Sequence, residues 1–242
     1  MKHYLLTRYN TQLYSGKGFF DKHGRHINEY ADEWMKHRFE LFKNICLPSV
    51  EKQINQNFEW LVFLDKATPE QYIKQIEALQ LKRKFKILFA EEEARDESLK
   101  YIKDDIGQRV CITSRIDNDD AIRYDFIETI QEMYKKNIGN SLVFKKGTYF
   151  DIESKRQSIH TYPRNPFLTL IKPSNDINDV WSVEHGNIDS ISREVIEIDC
   201  GPMWLSTVHK YNRKNNLRGK EVHKTLRWLE YDFSIKGEKQ WT

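Results

Sequence analysis

Four short apolar runs punctuate the first half of the chain, and a stretch of helical periodicity follows each. "HYLLTRYN" (3–10) reads as a buried strand ending in polar residues. From Tyr30 the apolar positions Trp34, Phe39, Phe42 and Ile45 recur at helical spacing, and Pro48 kinks that helix or opens a new turn towards Gln53. "FEWLVFLDK" (58–66) is a second strand, and "TPEQYIKQIEALQL" is a helix with Thr68 as N-cap and Pro69 at its first position. "KFKILFAE" (84–91) is a third strand, followed by a charged helix over 91–107 carrying Leu99, Ile102 and Ile106 on one face. "RVCITSRI" is a fourth, "AIRYDFIETIQEMYKK" (121–136) a helix, and "NSLVFKKGTYFD" one or two further strands. Residues 11–30, with Gly16, Gly18 and Gly24, read as a long loop.

Strand and helix thus alternate through the first 136 residues, which predicts an α/β fold of βαβ units with a parallel sheet covered by helices. Ligands of such sheets bind beyond the carboxyl ends of the strands, where Thr7–Asn10, Asp65 and Asp117–Asp120 all fall. After about residue 145 the alternation fades into a Pro-, Asn- and aromatic-rich region. The expectation is a single domain over 1–242, with a ligand-binding half (1–136) and a less regular half (137–242).

Composition narrows the class. Of 242 residues, 39 are basic and 36 acidic, a near balance that speaks against a dedicated nucleic-acid binder. Cys46, Cys111 and Cys200 are dispersed and lack a CxxC spacing, as in a reducing cytosol. The apolar run near the N-terminus is too short for a signal peptide, and no segment reaches bilayer-spanning length. These readings predict a cytoplasmic protein.

The chemistry concentrates in "RIDNDDA". Three carboxylates and an amide side by side repel one another unless something offsets them. Asp117 and Asp119, one residue apart at a strand end, can present carboxylates on one side of the chain. Oxygen donors of this kind suit Mg²⁺ or Mn²⁺ shared with a substrate phosphate. The plainer alternative is that one of these residues caps the following helix.

The order "YLLTRYN", "LPSVEKQINQNFEWLVFLDKATPEQ", "TSRIDNDDA" and a late "WLSTVHKYN" resembles the rhamnosyltransferase family, within the nucleotide-sugar glycosyltransferases of the GT-A fold, family 2 type. The likeness covers residues 3–215. It implies a GT-A fold with a mostly parallel central sheet. It also implies transfer of a sugar, rhamnose by the family's name, from a nucleotide-diphosphate donor to a glycan or lipid-linked acceptor. By the same resemblance Thr7, Arg8 and Tyr9 bind the donor, Asp65 accepts a hydrogen bond from the base, and Arg115 reaches the diphosphate. Asp117 serves the ribose or the metal, and Asp119 and His209 complete a Mn²⁺ or Mg²⁺ site. The residues themselves leave alternatives open: Tyr9 as core packing, Asp65 as a cap for the helix at Thr68, and Arg115 in a structural ion network.

An inverting transfer needs a base to deprotonate the attacking hydroxyl. "PSNDINDVWSVEHGN" offers Asp176, Asp179, Glu184 and His185, with Glu184 preferred and His185 second. "HTYPRNPFLTLI" (160–171) is either an acceptor surface with Tyr162 and Phe167 or a loop packing aromatics into the core. The basic run 209–224 is a solvated face or a contact for an anionic lipid at the inner face of a membrane. Two rival functions use the same features: a metal-dependent phosphoesterase or nucleotide-sugar hydrolase, and a noncatalytic carbohydrate-binding protein. The lack of a Gly-rich phosphate loop argues against a nucleotidyltransferase.

Overall fold

A computed structural model describes residues 1–11, 28, 31–80, 84–91, 93–212, 216–222 and 227–235. Most of the 11–30 loop and part of the basic 209–224 run lie outside them. One seven-stranded sheet is ordered β10-β6-β9-β4-β1-β2-β3, and a five-stranded sheet runs β12-β8-β7-β11-β5. The strands are β1 (Lys2–Arg8), β2 (Glu59–Asp65), β3 (Lys86–Ala90), β4 (Cys111–Arg115), β5 (Ala121–Ile122), β6 (Ser141–Phe144), β7 (Lys146–Asp151), β8 (Gln157–Thr161), β9 (Leu168–Lys172), β10 (Val195–Ile198), β11 (Trp204–Val208) and β12 (Lys220–Val222). In the larger sheet only β9 runs antiparallel to its neighbours, β4 and β6. The expected mostly parallel sheet is therefore present.

The apolar runs are continuous because both faces of the central strands are covered. Alternate residues enter different cores. Leu5, Val62 and Ile112 pack with Tyr72 and Ile76 of α3 (Glu70–Leu79) and with Phe126, Ile127 and Ile130 of α5 (Phe126–Met133). Leu6, Phe63 and Cys111 pack on the other face with Ala94, Ile102 and Ile106 of α4 (Ala94–Ile106) and with Trp181. A one-residue slip in β1 would exchange these faces.

The helix expected from Tyr30 is α1 (Asp32–Leu41), a π-helical segment Phe42–Cys46 and α2 (Leu47–Glu51). Pro48 cannot donate to the ladder, and its ring crowds the carbonyl four residues back. The wider turns just before it fit that demand. The start of α3 is one residue later than expected, with Pro69 in the capping position. The Thr68 hydroxyl instead donates to the Asp65 carbonyl at 2.5 Å. Ala121 and Ile122 were expected in a helix but form β5, which pairs antiparallel with β11. The reason is tertiary: this short segment finds its backbone partners 80 residues away. Likewise "FLTLI" is not a loop, since β9 lies inside the large sheet.

Gly147 on β7 is required by close approach. A Cβ there would lie 1.9 Å from Cδ2 of Trp204. The indole covers the glycine, stacks on Phe167 at 5.0 Å and donates Nε1–H to the Phe144 carbonyl at 2.9 Å. That arrangement sets where β11 begins, and hence where His209 emerges.

Candidate active site

The strand order turns around β1, whose neighbours are β2 and β4, so the carboxyl ends of β1 and β4 meet at a switch point of the sheet. Leu6 pairs with Arg115, which brings Arg8 and the segment after β4 together. Residues 117–120 then form a tight turn, closed by the Asp120 N–H donating to the Asp117 carbonyl at 3.1 Å. The turn breaks the extended geometry that would have aligned the carboxylates, and each faces a different partner.

Asp117 Oδ1 lies 3.4 Å from Arg8 Nε and 3.4 Å from Arg115 Nη2. Asp119 Oδ2 lies 2.5 Å from Arg38 Nη1 and 2.9 Å from His209 Nε2, with Asn212 Nδ2 at 3.5 Å. Arg38 also donates to Asn118 Oδ1 at 3.3 Å. Asp120 Oδ1 accepts the Thr207 N–H at 3.0 Å, and the Thr207 hydroxyl donates to the Asp119 carbonyl at 2.9 Å. Asp120 therefore fastens β11 to the turn and delivers His209 to Asp119. The helix-cap alternative is not realised: α5 begins after Asp125, with no side-chain cap.

Electrostatics separate the three acids. Burial raises Asp117, but Arg8 and Arg115 overcome it and hold the carboxyl below its ordinary range. Burial likewise opposes ionisation of Asp119, and the Arg38 guanidinium with His209 reverses that strongly. Asp120 is pushed well up by burial and by Asp119 and Asp117. His209 is lowered chiefly by burial, against its contact with Asp119, and is neutral at pH 7.

Several donors in this corner have no acceptor. Arg115 Nε, Arg38 Nε and Asn118 Nδ2 are buried without a hydrogen-bond partner, in residues that are 5% (Arg115) and 3% (Asn118) exposed or, for Arg38, nearly buried. Buried polar groups are rarely left unpaired without a reason. Donors of this kind, two of them on guanidiniums, suit an anion with several oxygens.

His185 comes up on the other side. It opens a 3₁₀ turn, His185–Ser190, and its Nδ1 is buried without a partner. Burial lowers its basicity first, Arg115 lowers it further, and Asp117 partly offsets them. Glu184, just before it, is exposed.

The remaining candidate residues have local partners of their own. The Thr7 hydroxyl is fully buried and accepts the Trp60 indole N–H at 2.9 Å. Tyr9 is 2% exposed and packs edge-on against Phe42 at 5.5 Å. Both side chains are buried, and the Tyr9 hydroxyl has no hydrogen-bond partner among the described residues. Asp65 Oδ1 accepts the Ala67 N–H at 2.7 Å, so one carboxyl oxygen serves the local turn. Asp176 is tied to Lys172 at 2.7 Å. Asp179 is fully buried, holding Ser98 and the Trp181 N–H. Phe167 is core, as its stacking on Trp204 requires. Arg38 and Asn212 are members of the site that motif reading left without a role. Arg38's only sequence signal is its place one helical turn after Trp34, whose ring it covers at 5.1 Å.

For a divalent cation, Asp119 and His209 provide one oxygen and one nitrogen donor at a single point. Asp117 faces the arginines instead, and among the described residues no three His, Cys, Asp or Glu side chains form a cation-holding group. The expected Asp117–Asp119–His209 set thus closes only as a pair. A pair fits an ion that takes its other ligands from substrate phosphate and water, as Mg²⁺ commonly does.

The mostly parallel sheet, its helices and the switch-point site define a nucleotide-diphospho-sugar transferase fold of the GT-A type. The family model described as "Putative rhamnosyl transferase" matches residues 2–221, and the chain belongs to that glycosyltransferase family. Among solved structures, S. aureus TarS 1–349 is similar with a TM-score of 0.50 and 12% identity, over 86% of this chain and 60% of that one. A longer S. aureus TarS structure gives a TM-score of 0.51 at 12% identity, over 86% of this chain and 37% of that one. The chain therefore spans less than two thirds of the neighbours it resembles. No curated protein matches it by sequence.

Proposed function

We propose that this glycosyltransferase moves a sugar, rhamnose by the family's description, from a nucleoside-diphosphate donor to a hydroxyl of a glycan or lipid-linked acceptor, with inversion at the anomeric carbon. The observation that carries this reading is the set of buried, unpartnered donors on Arg115, Arg38 and Asn118 at the sheet's switch point. A diphosphate has the charge and the number of oxygens to satisfy them.

The acceptor oxygen attacks the anomeric carbon as the bond to the diphosphate oxygen breaks, and the electron pair leaves with the diphosphate. Arg8 and Arg115, held by Asp117, meet that growing charge. Mg²⁺ or Mn²⁺ at Asp119 and His209 would supply Lewis-acid stabilisation of the same leaving group. The acceptor proton goes to the Glu184–His185 pair. Burial keeps His185 neutral, as a base must be, and its Nδ1 is free to take the proton. No described helix is long and apolar enough to cross a membrane. A cytoplasmic enzyme meeting a lipid-linked acceptor at the inner membrane face is the setting we propose.

A thermal-shift screen of UDP-, GDP- and dTDP-sugars with and without Mn²⁺ tests the reading, because a ligand of the folded state raises its stability. At least one donor should stabilise the protein, more so with Mn²⁺, and Asp119→Ala should reduce the gain. Arg115→Gln should weaken donor binding without removing the fold. No shift with any donor would overturn the assignment.

A further inference from the structure

Asp119 Oδ2, the oxygen best placed to ligate a divalent cation beside His209, already carries a cation of the protein's own. Arg38 Nη1 stands 2.5 Å from it, with the guanidinium nearly buried and its Nε without an acceptor. The placement is built in from both sides. Arg38 lies on α1, just before the π-helical segment, with its guanidinium over the Trp34 ring at 5.1 Å. The segment carrying His209 is fastened to the same helix: Lys210 Nζ and the Tyr211 hydroxyl reach Glu33 at 2.7 and 2.5 Å, and the rings of His37 and His209 lie 4.9 Å apart.

A guanidinium and a divalent ion cannot both hold one carboxylate oxygen in a site sheltered from water, because their like charges repel at short range. We propose that Arg38 is an internal counter-ion that keeps divalent cations off Asp119 until a nucleoside diphosphate arrives. The diphosphate then draws the guanidinium away and the cation takes its place. The acceptor for the displaced fork is at hand in the incoming phosphate oxygens, which also satisfy Arg38 Nε. Cation binding is thereby coupled to donor binding, and the emptied enzyme releases its cation with the nucleotide. The inference rests on the diphosphate reading above, in which Arg38 holds Asp119 before the donor binds and the donor's phosphate afterwards.

Mn²⁺ affinity, measured by calorimetric titration and by the EPR signal of free Mn²⁺, tests this in the full chain without any turnover. Arg38→Gln and Arg38→Met remove the charge, while Arg38→Lys keeps it. In the absence of nucleotide, the two neutral variants should bind Mn²⁺ roughly ten-fold or more tighter than the wild type, within the usual range of site-to-site coupling. Arg38→Lys should stay close to the wild type. With saturating UDP, GDP or dTDP, whichever gives the thermal shift, the gap between wild type and neutral variants should close. A purely structural role for Arg38 would lower Mn²⁺ affinity, so the sign of the change discriminates. Unchanged or weaker Mn²⁺ binding in a folded neutral variant, or an equal gain in Arg38→Lys, overturns the counter-ion role while the nucleotide-induced shift leaves the transferase reading standing. Absence of that shift in the wild type overturns both.

Discussion

Asp179 offers a test that separates a catalytic base from a core tether. Its carboxyl is fully buried, accepts the Trp181 N–H at 2.8 Å, and is held by the hydroxyls of Ser98 and Ser182. Burial raises it from 3.8 to about 6, against those hydrogen bonds. Because the folded-state value lies above the unfolded one, the stabilising contribution is complete below pH 3.8 and fades as pH rises through 6. About two units at about 1.4 kcal/mol each make a cost of about 3 kcal/mol at neutral pH. Asp179→Asn keeps the acceptor for Trp181 and turns an amide towards Ser98, which can accept. Urea unfolding of both proteins from pH 4 to pH 8 should show the wild type losing about 2 kcal/mol relative to the variant between pH 4 and pH 7, the rest being lost below pH 4. Transfer activity, once a donor is known, should persist. A stability difference that is flat with pH, together with loss of turnover, would refute the tether and restore Asp179 as a candidate base.

Two other substitutions probe the frame of the site. Gly147→Ala would drive a methyl into the Trp204 ring and should cost about 1–3 kcal/mol or more, read as a fall in melting temperature, with weakened donor binding because β11 carries His209; a neutral effect would mean the indole is not fixed there. Thr7→Val keeps the shape but strands the buried Trp60 N–H, so it should cost about 1–3 kcal/mol in denaturant unfolding while leaving any donor-induced thermal shift intact; loss of that shift would return Thr7 to the donor site.

Much of the frame was legible in the chain. The runs around Leu5, Val62 and Ile112 are continuous because both faces of a parallel sheet are covered, and that burial writes itself into local composition. The motif around Asp117 and Asp119 marked a corner where the structure gathers Arg8, Arg38, Arg115 and His209. Pattern misled where partners are distant. Ala121 and Ile122 look helical until β11 claims them, and "FLTLI" looks like a bent loop until β4 and β6 enclose it. Strand-end position likewise says nothing of which way Thr7 and Tyr9 point, and in the structure both are buried.

Residue order by itself determined the α/β alternation, the acidic turn and the family to which the chain belongs, because these follow from periodicity and from short contiguous motifs. Only the tertiary structure decided how the acids divide their labour: Asp117 to Arg8 and Arg115, Asp119 to Arg38 and His209, Asp120 to the Thr207 N–H of β11. The reason is that charge and burial act through space. Arg38 and His209 stand 81 and 90 positions from Asp119 along the chain, and no local pattern encodes an oxygen they share.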